Sequence, residues 1–134
     1  MQLIAELALF EKASEELIIS KQTLIKYGFS DKPLFFSWVA ESKGVVIGTA
    51  ICYIRFSTWK GPVLYLEDLI VTKSMRGKGV GKLLFDACLD YAKHNHYSRI
   101  AWQVLDWNTS AIHFYKKYNA EFSGEWLNGS IDLL

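Results

Sequence analysis

Hydrophobic positions recur at the spacing of a helical turn in the first part of the chain. Over residues 1–11, leucine and phenylalanine side chains fall on one face, which predicts a helix that is already formed at the first residue. A second apolar stripe predicts a helix from Ser14 to about Tyr27, and Gly28 is a typical stop signal for it. The chain therefore opens with two predicted helices.

After Pro33 the pattern is typical of β-strands. Residues 34–40 and 45–56 are rich in β-branched and aromatic side chains, and the Ser-Lys-Gly sequence at residues 42–44 predicts a hairpin turn between them. Further strands and helices are predicted, in chain order, at residues 63–71, 83–95, 100–105, 108–118, 122–126 and 131–134. This order predicts a mixed α/β (α+β) fold, with helices flanking a partly parallel central sheet of about six strands.

The length and charge of the chain restrict its class. The 134 residues suit one domain, residues 1–134, with a real hydrophobic core. The net charge is only +1, so we expect neither nucleic acid nor an anionic membrane as a partner. No apolar run is long enough to span a bilayer, and no cleavable signal is visible. Cys52 and Cys88 lie in apolar contexts, which predicts buried free thiols and a cytoplasmic location.

A basic, glycine-rich segment reads Arg-Gly-Lys-Gly-Val-Gly-Lys at residues 76–82, which we call the glycine turn. It lies between the strand predicted at residues 63–71 and the helix that follows. Glycines let successive backbone N–H groups approach phosphate oxygens, and a helix N-terminus adds about half a positive charge. The segment therefore predicts an anion-binding turn that holds a pyrophosphate.

Two common phosphate-binding signatures do not fit this turn. A P-loop requires a glycine where Arg76 stands and a serine or threonine where Leu83 stands, so the hydroxyl that binds magnesium is missing. The dinucleotide fingerprint G-x-G-x-x-G fails because Lys82 or Leu84 occupies the third glycine position. The pattern that fits is R-x-x-G-x-G. For the motif alone, the alternative is a tight basic turn without a ligand.

The pattern R-x-x-G-x-G, between a strand and a helix, resembles the acetyl-CoA-binding turn of the GNAT superfamily of N-acetyltransferases. Three flanking segments narrow the resemblance: YLEDLIV at residues 65–71, VLDWN at residues 104–108 and AIHFY at residues 111–115. They are similar to the diamine, or spermidine/spermine, N-acetyltransferases. The likeness runs from about residue 6 through residue 126, which is most of the chain.

The resemblance implies a GNAT fold and acetyl-CoA as co-substrate, with no metal ion. The glycine turn would bind the pyrophosphate, the strand before it would run alongside the pantetheine, and the start of the helix predicted at residues 108–118 would touch the cofactor. The cofactor-binding residues that it implies are Leu69, Ile70, Val71, Arg76, Gly77, Lys78, Gly79, Val80, Gly81, Lys82, Asn108, Ser110 and Ala111. The alternatives are a solvated surface charge for Lys78 and a plain helix N-cap for Asn108.

The resemblance gives catalytic roles to two residues. Tyr115 would be the general acid that protonates the departing CoA thiolate, and the alternative is a core tyrosine in an aromatic helix. Glu67 would accept the proton that the substrate ammonium must lose, directly or through water. Strand alternation predicts that Glu67 and Asp68 point to opposite faces, so that one of them faces the cleft. For Asp68, a cleft role and a structural role both stay open.

Further residues would bind the acceptor amine. The resemblance places Glu11 and Glu125 near substrate positions, together with Glu67, and we assign Trp102 to the substrate side. For Glu11 and Glu125 the alternative is a solvated surface charge. For Trp102 it is a place in the core, where tryptophans occur more often than in ligand cages.

The predicted function is an acetyl-CoA-dependent N-acetyltransferase that acts on a primary amine of a small polyamine, diamine or amino-acid-like acceptor. The alternatives are the same chemistry on a peptide or protein amine, and a CoA-binding module without turnover. Family members open with a strand before the first helix, whereas this chain begins inside that helix. We therefore expect the first strand to be absent or to lie upstream, and the family expectation is a homodimer.

Overall fold

A computed structural model describes residues 1–133 of the chain. Within them the helices and strands are α1 (Gln2–Phe10), α2 (Lys21–Gly28), β1 (Phe36–Ser42), β2 (Val45–Ser57), β3 (Gly61–Val71), α3 (Val80–His94), β4 (Arg99–Ala101) and α4 (Thr109–Lys116). Short 3₁₀ turns lie at Ser14–Glu16 and Lys73–Met75. No helix in this part of the chain has the length and apolar character needed to cross a lipid bilayer.

The chain forms two compact units. The first, Met1–Gln103, holds α1, α2, α3 and the strands β1 to β4, whereas the second begins at Val104 and holds α4. The glycine turn therefore belongs to the first unit, together with the sheet, and Tyr115 belongs to the second.

The sheet runs in the order β1-β2-β3-β4. β1 pairs with β2 and β2 with β3 in antiparallel orientation, and β3 pairs with β4 in parallel. The predicted mixed α/β fold with a partly parallel sheet is therefore confirmed.

Two predicted strands do not form, so the described chain has four strands and not about six. Residues 122–126 and 131–133 have no regular structure, and Leu134, the last residue of the second prediction, lies outside the described residues. This stretch of the chain contains Gly124, Asn128 and Gly129. Glycine and asparagine disfavour strands, which gives a physical reason for the difference.

The single helix predicted over residues 14–27 is wrong in its first half. A 3₁₀ turn takes Ser14–Glu16, and α2 begins only at Lys21. Ser20 sets this start, because its Oγ accepts a hydrogen bond from the N–H of Thr23 over 3.1 Å and so caps the helix. The helix therefore starts at the local capping bond of Ser20 and not at Ser14, where the apolar stripe predicted its start.

Helix α3 packs its apolar face on β2 and β3. Its buried side chains recur at helical spacing and are Leu84, Phe85, Cys88 and Ala92. The buried side chains of the two strands include Ala50, Cys52, Val63, Leu64, Leu66 and Ile70. The core of the first unit lies between this helix and the central strands.

The two cysteines lie in this core. Cys52 on β2 and Cys88 on α3 are both buried free thiols, and their Sγ atoms are 3.8 Å apart. The contact with Cys88, together with burial, raises the pKa of the Cys52 thiol. The predicted buried free thiols are therefore confirmed, and Cys52 stays a neutral thiol that packs as a small apolar side chain.

Helix α3 approaches the backbone of β2 closely at Gly48. A Cβ atom placed there would lie 3.0 Å from Leu84 Cδ1, 3.1 Å from the carbonyl oxygen of Ile70 and 3.3 Å from Val80 Cγ1. Val80 and Leu84 belong to the first two turns of α3. The missing side chain at Gly48 therefore lets the start of α3, and with it the glycine turn, rest on the sheet.

We predict that Gly48→Ala lowers the free energy of unfolding by roughly 1–3 kcal/mol, because the added methyl group overpacks this contact. Gly124→Ala is the control, since a Cβ there meets no atom within 4 Å, and this variant should be neutral or slightly stabilised. Urea denaturation of the three proteins measures the difference. Equal stability of Gly48→Ala and the wild type would contradict the close approach.

Candidate active site

The glycine turn leaves open space at the start of α3. Gly77 and Gly79 have left-handed backbone, with φ of +74° and +82°, which glycine adopts without strain. A Cβ at either position would meet no atom within 4 Å, so the backbone conformation and not crowding requires glycine. Gly79 is the N-cap of α3 and offers no side chain to the first N–H groups of the helix. These N–H groups suit an anion.

The three cations of the turn differ in their partners. The Nε–H of Arg76 donates to the last carbonyl of β3 over 2.9 Å, and its guanidinium carbon lies 5.3 Å from the centre of the Phe10 ring. Lys82 forms an ion pair with Asp86 one turn along α3. Lys78 is exposed. Arg76 is therefore the cation that the surrounding structure holds from two sides.

Strand β3 has a free edge beside the glycine turn. Its pairing with β4 covers residues 63–65, whereas its pairing with β2 continues to Val71. Within the described chain, residues 66–71 thus have no strand neighbour on the β4 side. Backbone groups that point to that edge take no part in the sheet ladder. Leu69, Ile70 and Val71, predicted to line the pantetheine, lie on this segment.

A β-bulge interrupts β3 at Glu67. Ile51 of β2 lies opposite Asp68, and Cys52 lies opposite Leu66, which leaves Glu67 as the extra residue without a partner. The alternation expected for Glu67 and Asp68 is therefore interrupted at this step. Glu67 is exposed and Asp68 is half-buried.

Two carboxylates, those of Glu67 and Glu11, act on a third, that of Asp68, at this bulge. Burial, and then the negative charges of Glu67 and Glu11, raise the pKa of Asp68 from 3.8 to about 6. Burial also raises the pKa of Glu11, which is the C-cap of α1. We call Glu11, Glu67 and Asp68 the carboxylate cluster. The cluster includes Asp68, for which the sequence left a cleft role and a structural role open, and two residues predicted to bind the substrate. No sequence pattern predicts the β-bulge in this strand.

In the second unit, Asn108 caps α4. Its Oδ1 accepts a hydrogen bond from the N–H of Ala111 over 3.2 Å, so Asn108 does cap this helix, and its contact with the cofactor stays a prediction. Ser110 is exposed in the first turn of the same helix. Tyr115 is buried, and its ring packs edge-on against Phe114 with centroids 5.2 Å apart. The capped helix therefore holds the Tyr115 ring in a restricted position.

Two further predicted site residues, Trp102 and Glu125, belong to different units. Trp102, in the first unit, packs edge-on against the buried Phe85 with centroids 5.5 Å apart. Glu125 is exposed in the irregular segment that follows α4. In residues 1–133, no group of three or more histidine, cysteine, aspartate or glutamate side chains is arranged to hold a metal ion.

The chain matches known acetyltransferases over most of its length. A family model described as the acetyltransferase (GNAT) family matches residues 2–120. Thialysine N-epsilon-acetyltransferase of Mus musculus is 37% identical over 129 residues, which cover 90% of this chain and 76% of that protein. Spermidine/spermine N(1)-acetyltransferase-like protein 1 of Homo sapiens is 31% identical over 127 residues, which cover 90% of this chain and 18% of that protein.

The fold also matches a solved structure. The aminoglycoside N-acetyltransferase AAC(6')-Iy, in complex with CoA, aligns with a TM-score of 0.70 over 98% of this chain and 90% of that chain, at 23% identity. The family match and the two relatives support an N-acetyltransferase and agree with the predicted diamine branch. The chain belongs to the GNAT family of acetyltransferases.

Proposed function

We propose that the protein transfers an acetyl group from acetyl-CoA to a primary amine of a small polyamine, diamine or amino-acid-like acceptor. The observation that carries the proposal is the glycine turn, whose left-handed glycines leave the start of α3 open next to the free edge of β3. Relatives named for thialysine and for spermidine/spermine support a small cationic acceptor. They favour neither a peptide amine nor a CoA-binding module without turnover.

The residues of the first unit fit acetyl-CoA, which supplies a reactive thioester when bound. Any side chain at Gly77 or Gly79 would occupy the open space in which the backbone N–H groups of the turn, including those of Val80 and Gly81, can bind a pyrophosphate. Arg76 and the two turn lysines add positive charge. The free edge of β3 offers backbone groups that can hydrogen-bond the amides of the pantetheine.

The carboxylate cluster suits a cationic acceptor. An amine arrives as an ammonium ion, and three nearby carboxylates attract it and favour its binding. Glu67, exposed at the bulge, accepts the proton that the ammonium loses, directly or through water. The neutral amine is then the nucleophile. Glu11 and Asp68 orient the acceptor by charge.

Tyr115 is the proposed general acid. Its hydroxyl gives a proton to the thiolate that leaves when the amide bond forms. Packing against Phe114 on the capped helix α4 restricts the Tyr115 ring. Little side-chain entropy is therefore lost when the hydroxyl takes the position needed for proton transfer.

The proposal is tested by offering the full chain acetyl-CoA with spermidine, putrescine, lysine analogues or a panel of peptides while free thiol is measured. We expect thiol release with the small amines and little with the peptides. Thiol release with peptides alone would replace the proposal by the peptide alternative. Measurable CoA binding without thiol release for any amine would replace it by a module without turnover.

We predict that Tyr115→Phe lowers kcat by roughly 100-fold or more, because a general acid contributes at least that much to many reactions. CoA affinity, measured by calorimetry, should stay close to that of the wild type. Tyr118→Phe is the matched control, since it removes a hydroxyl from the neighbouring turn. An unchanged kcat in Tyr115→Phe would remove this residue from its role.

We predict that Asp68→Asn stabilises the protein at pH 7.5 while it lowers kcat/KM for diamines. Because the pKa of Asp68 rises to about 6 on folding, the folded state binds more protons than the unfolded state between about pH 4 and pH 6, and its stability falls as pH rises through that window. The stability difference between variant and wild type should therefore disappear near pH 4. Asp90→Asn, at an exposed site on α3, is the control. An Asp68→Asn variant that is less stable than the wild type at pH 7.5 would contradict an unfavourable charge at Asp68, which follows from its burial and from repulsion by Glu67 and Glu11.

A further inference from the structure

We propose that Phe10 is a positioning residue for Arg76: its ring holds the guanidinium so that the terminal N–H groups stay available to an anion at the glycine turn. The inference rests on the proposed function, because the anion in question is the pyrophosphate of CoA. Phe10 lies in α1 and far from the motif in sequence, and no sequence pattern pointed to it.

The guanidinium of Arg76 is held in two ways that leave most of its donors unused. It is planar and carries five N–H donors. One of them, on Nε, donates to the carbonyl oxygen of Val71 over 2.9 Å. The Phe10 ring lies 5.3 Å from the guanidinium carbon, in the range of a cation–π contact, which uses a face and not a donor. Four N–H donors on the two terminal nitrogens therefore remain for a bidentate contact with phosphate oxygens.

The charge of Arg76 is also not neutralised by a neighbour. Within residues 1–133 no carboxylate forms an ion pair with it, whereas Lys82 in the same turn pairs with Asp86. An anion at the turn therefore interacts with the full charge of Arg76. The position of the guanidinium depends on the groups that hold the side chain.

Helix α1 is anchored one turn before Phe10. The hydroxyl of Thr72 donates to Oε1 of Glu6 over 2.9 Å. Glu6 and Phe10 are four residues apart on one face of α1, and their partners Thr72 and Arg76 are four residues apart around the 3₁₀ turn Lys73–Met75. Two contacts thus run side by side between α1 and the segment that leads into the glycine turn. The first fixes the helix, and the second fixes Arg76.

The exposure of Phe10 argues against a role in the core alone. Its side chain is 39% exposed, whereas the core residues of this unit are at most 9% exposed. A ring that remains partly in water at a helix end gains less from burial than a core side chain does, and its contact with the guanidinium adds to that gain.

The test compares Phe10→Leu, which removes the ring and keeps an apolar side chain, with Phe10→Tyr, which keeps an aromatic face. Leu9→Ala, 71% exposed on the same helix, is the control. We expect Phe10→Leu to weaken CoA binding, measured by calorimetry, and to raise the KM for acetyl-CoA by roughly two- to fivefold, with kcat at saturation unchanged. Phe10→Tyr and Leu9→Ala should match the wild type. Inhibition by pantetheine, which has no phosphate, should not change in any variant.

A double-mutant cycle shows whether Phe10 acts through Arg76. In an Arg76→Ala background, Phe10→Leu should cause no further loss of CoA affinity. A loss of the same size in both backgrounds, or equal CoA affinity of Phe10→Leu and the wild type, would overturn the inference and leave the proposed function intact. A wild-type protein that binds no CoA would overturn both. If Phe10→Leu lowers the Tm, Phe10→Met takes its place, since methionine adapts to irregular apolar sites.

Discussion

The close approach of α3 to the sheet at Gly48 is the contact on which the candidate site depends. A side chain at that position would meet Leu84 and Val80 of α3 and the backbone of β3. Because it has none, the first turn of α3 lies directly on β2, and the glycine turn is held at the end of β3. The helix N-terminus, with its unpaired N–H groups and partial positive charge, is therefore placed by packing and not by the turn itself.

Strand β3 then combines two proposed functions in one segment. Its pairing with β4 stops at Tyr65, so the following residues present a free backbone edge. A bulge at Glu67 within the same segment gathers the carboxylate cluster. Polar backbone groups for a cofactor and negative charge for an amine therefore lie within a few residues of each other. The half-buried carboxylate of Asp68 has a raised pKa, and shifted pKa values are typical of functional sites.

Several predictions from the sequence were confirmed, including the helix after the glycine turn, the hairpin of β1 and β2, the partly parallel sheet and the cap at Asn108. Others were wrong, including the strand at residues 122–126 and the first half of the helix over residues 14–27. Two features that the sequence did not predict depend on contacts between residues far apart in the chain: the bulge at Glu67 and the contact of Phe10 with Arg76. These arise from register and packing, which have no short-range signature. The Ser20 cap that delays α2 is local, because Ser20 and Thr23 are only three residues apart, but the helix was predicted to start at Ser14 instead. The homodimer, the single domain and the cytoplasmic location stay predictions.

The central claim is that the glycine turn binds the pyrophosphate of CoA, and CoA affinity of Gly79→Asp tests it most directly. The matched control is Gly44→Asp, because Gly44 also has left-handed backbone, with φ of +79°, and open space around it, but lies in the β1–β2 hairpin. Both variants carry the same backbone strain and the same added charge. We expect Gly79→Asp to lose CoA affinity by more than about tenfold, since the new carboxylate repels the phosphates, and Gly44→Asp to bind as the wild type does. Undiminished affinity of Gly79→Asp, or an equal loss in both variants, would contradict the claim.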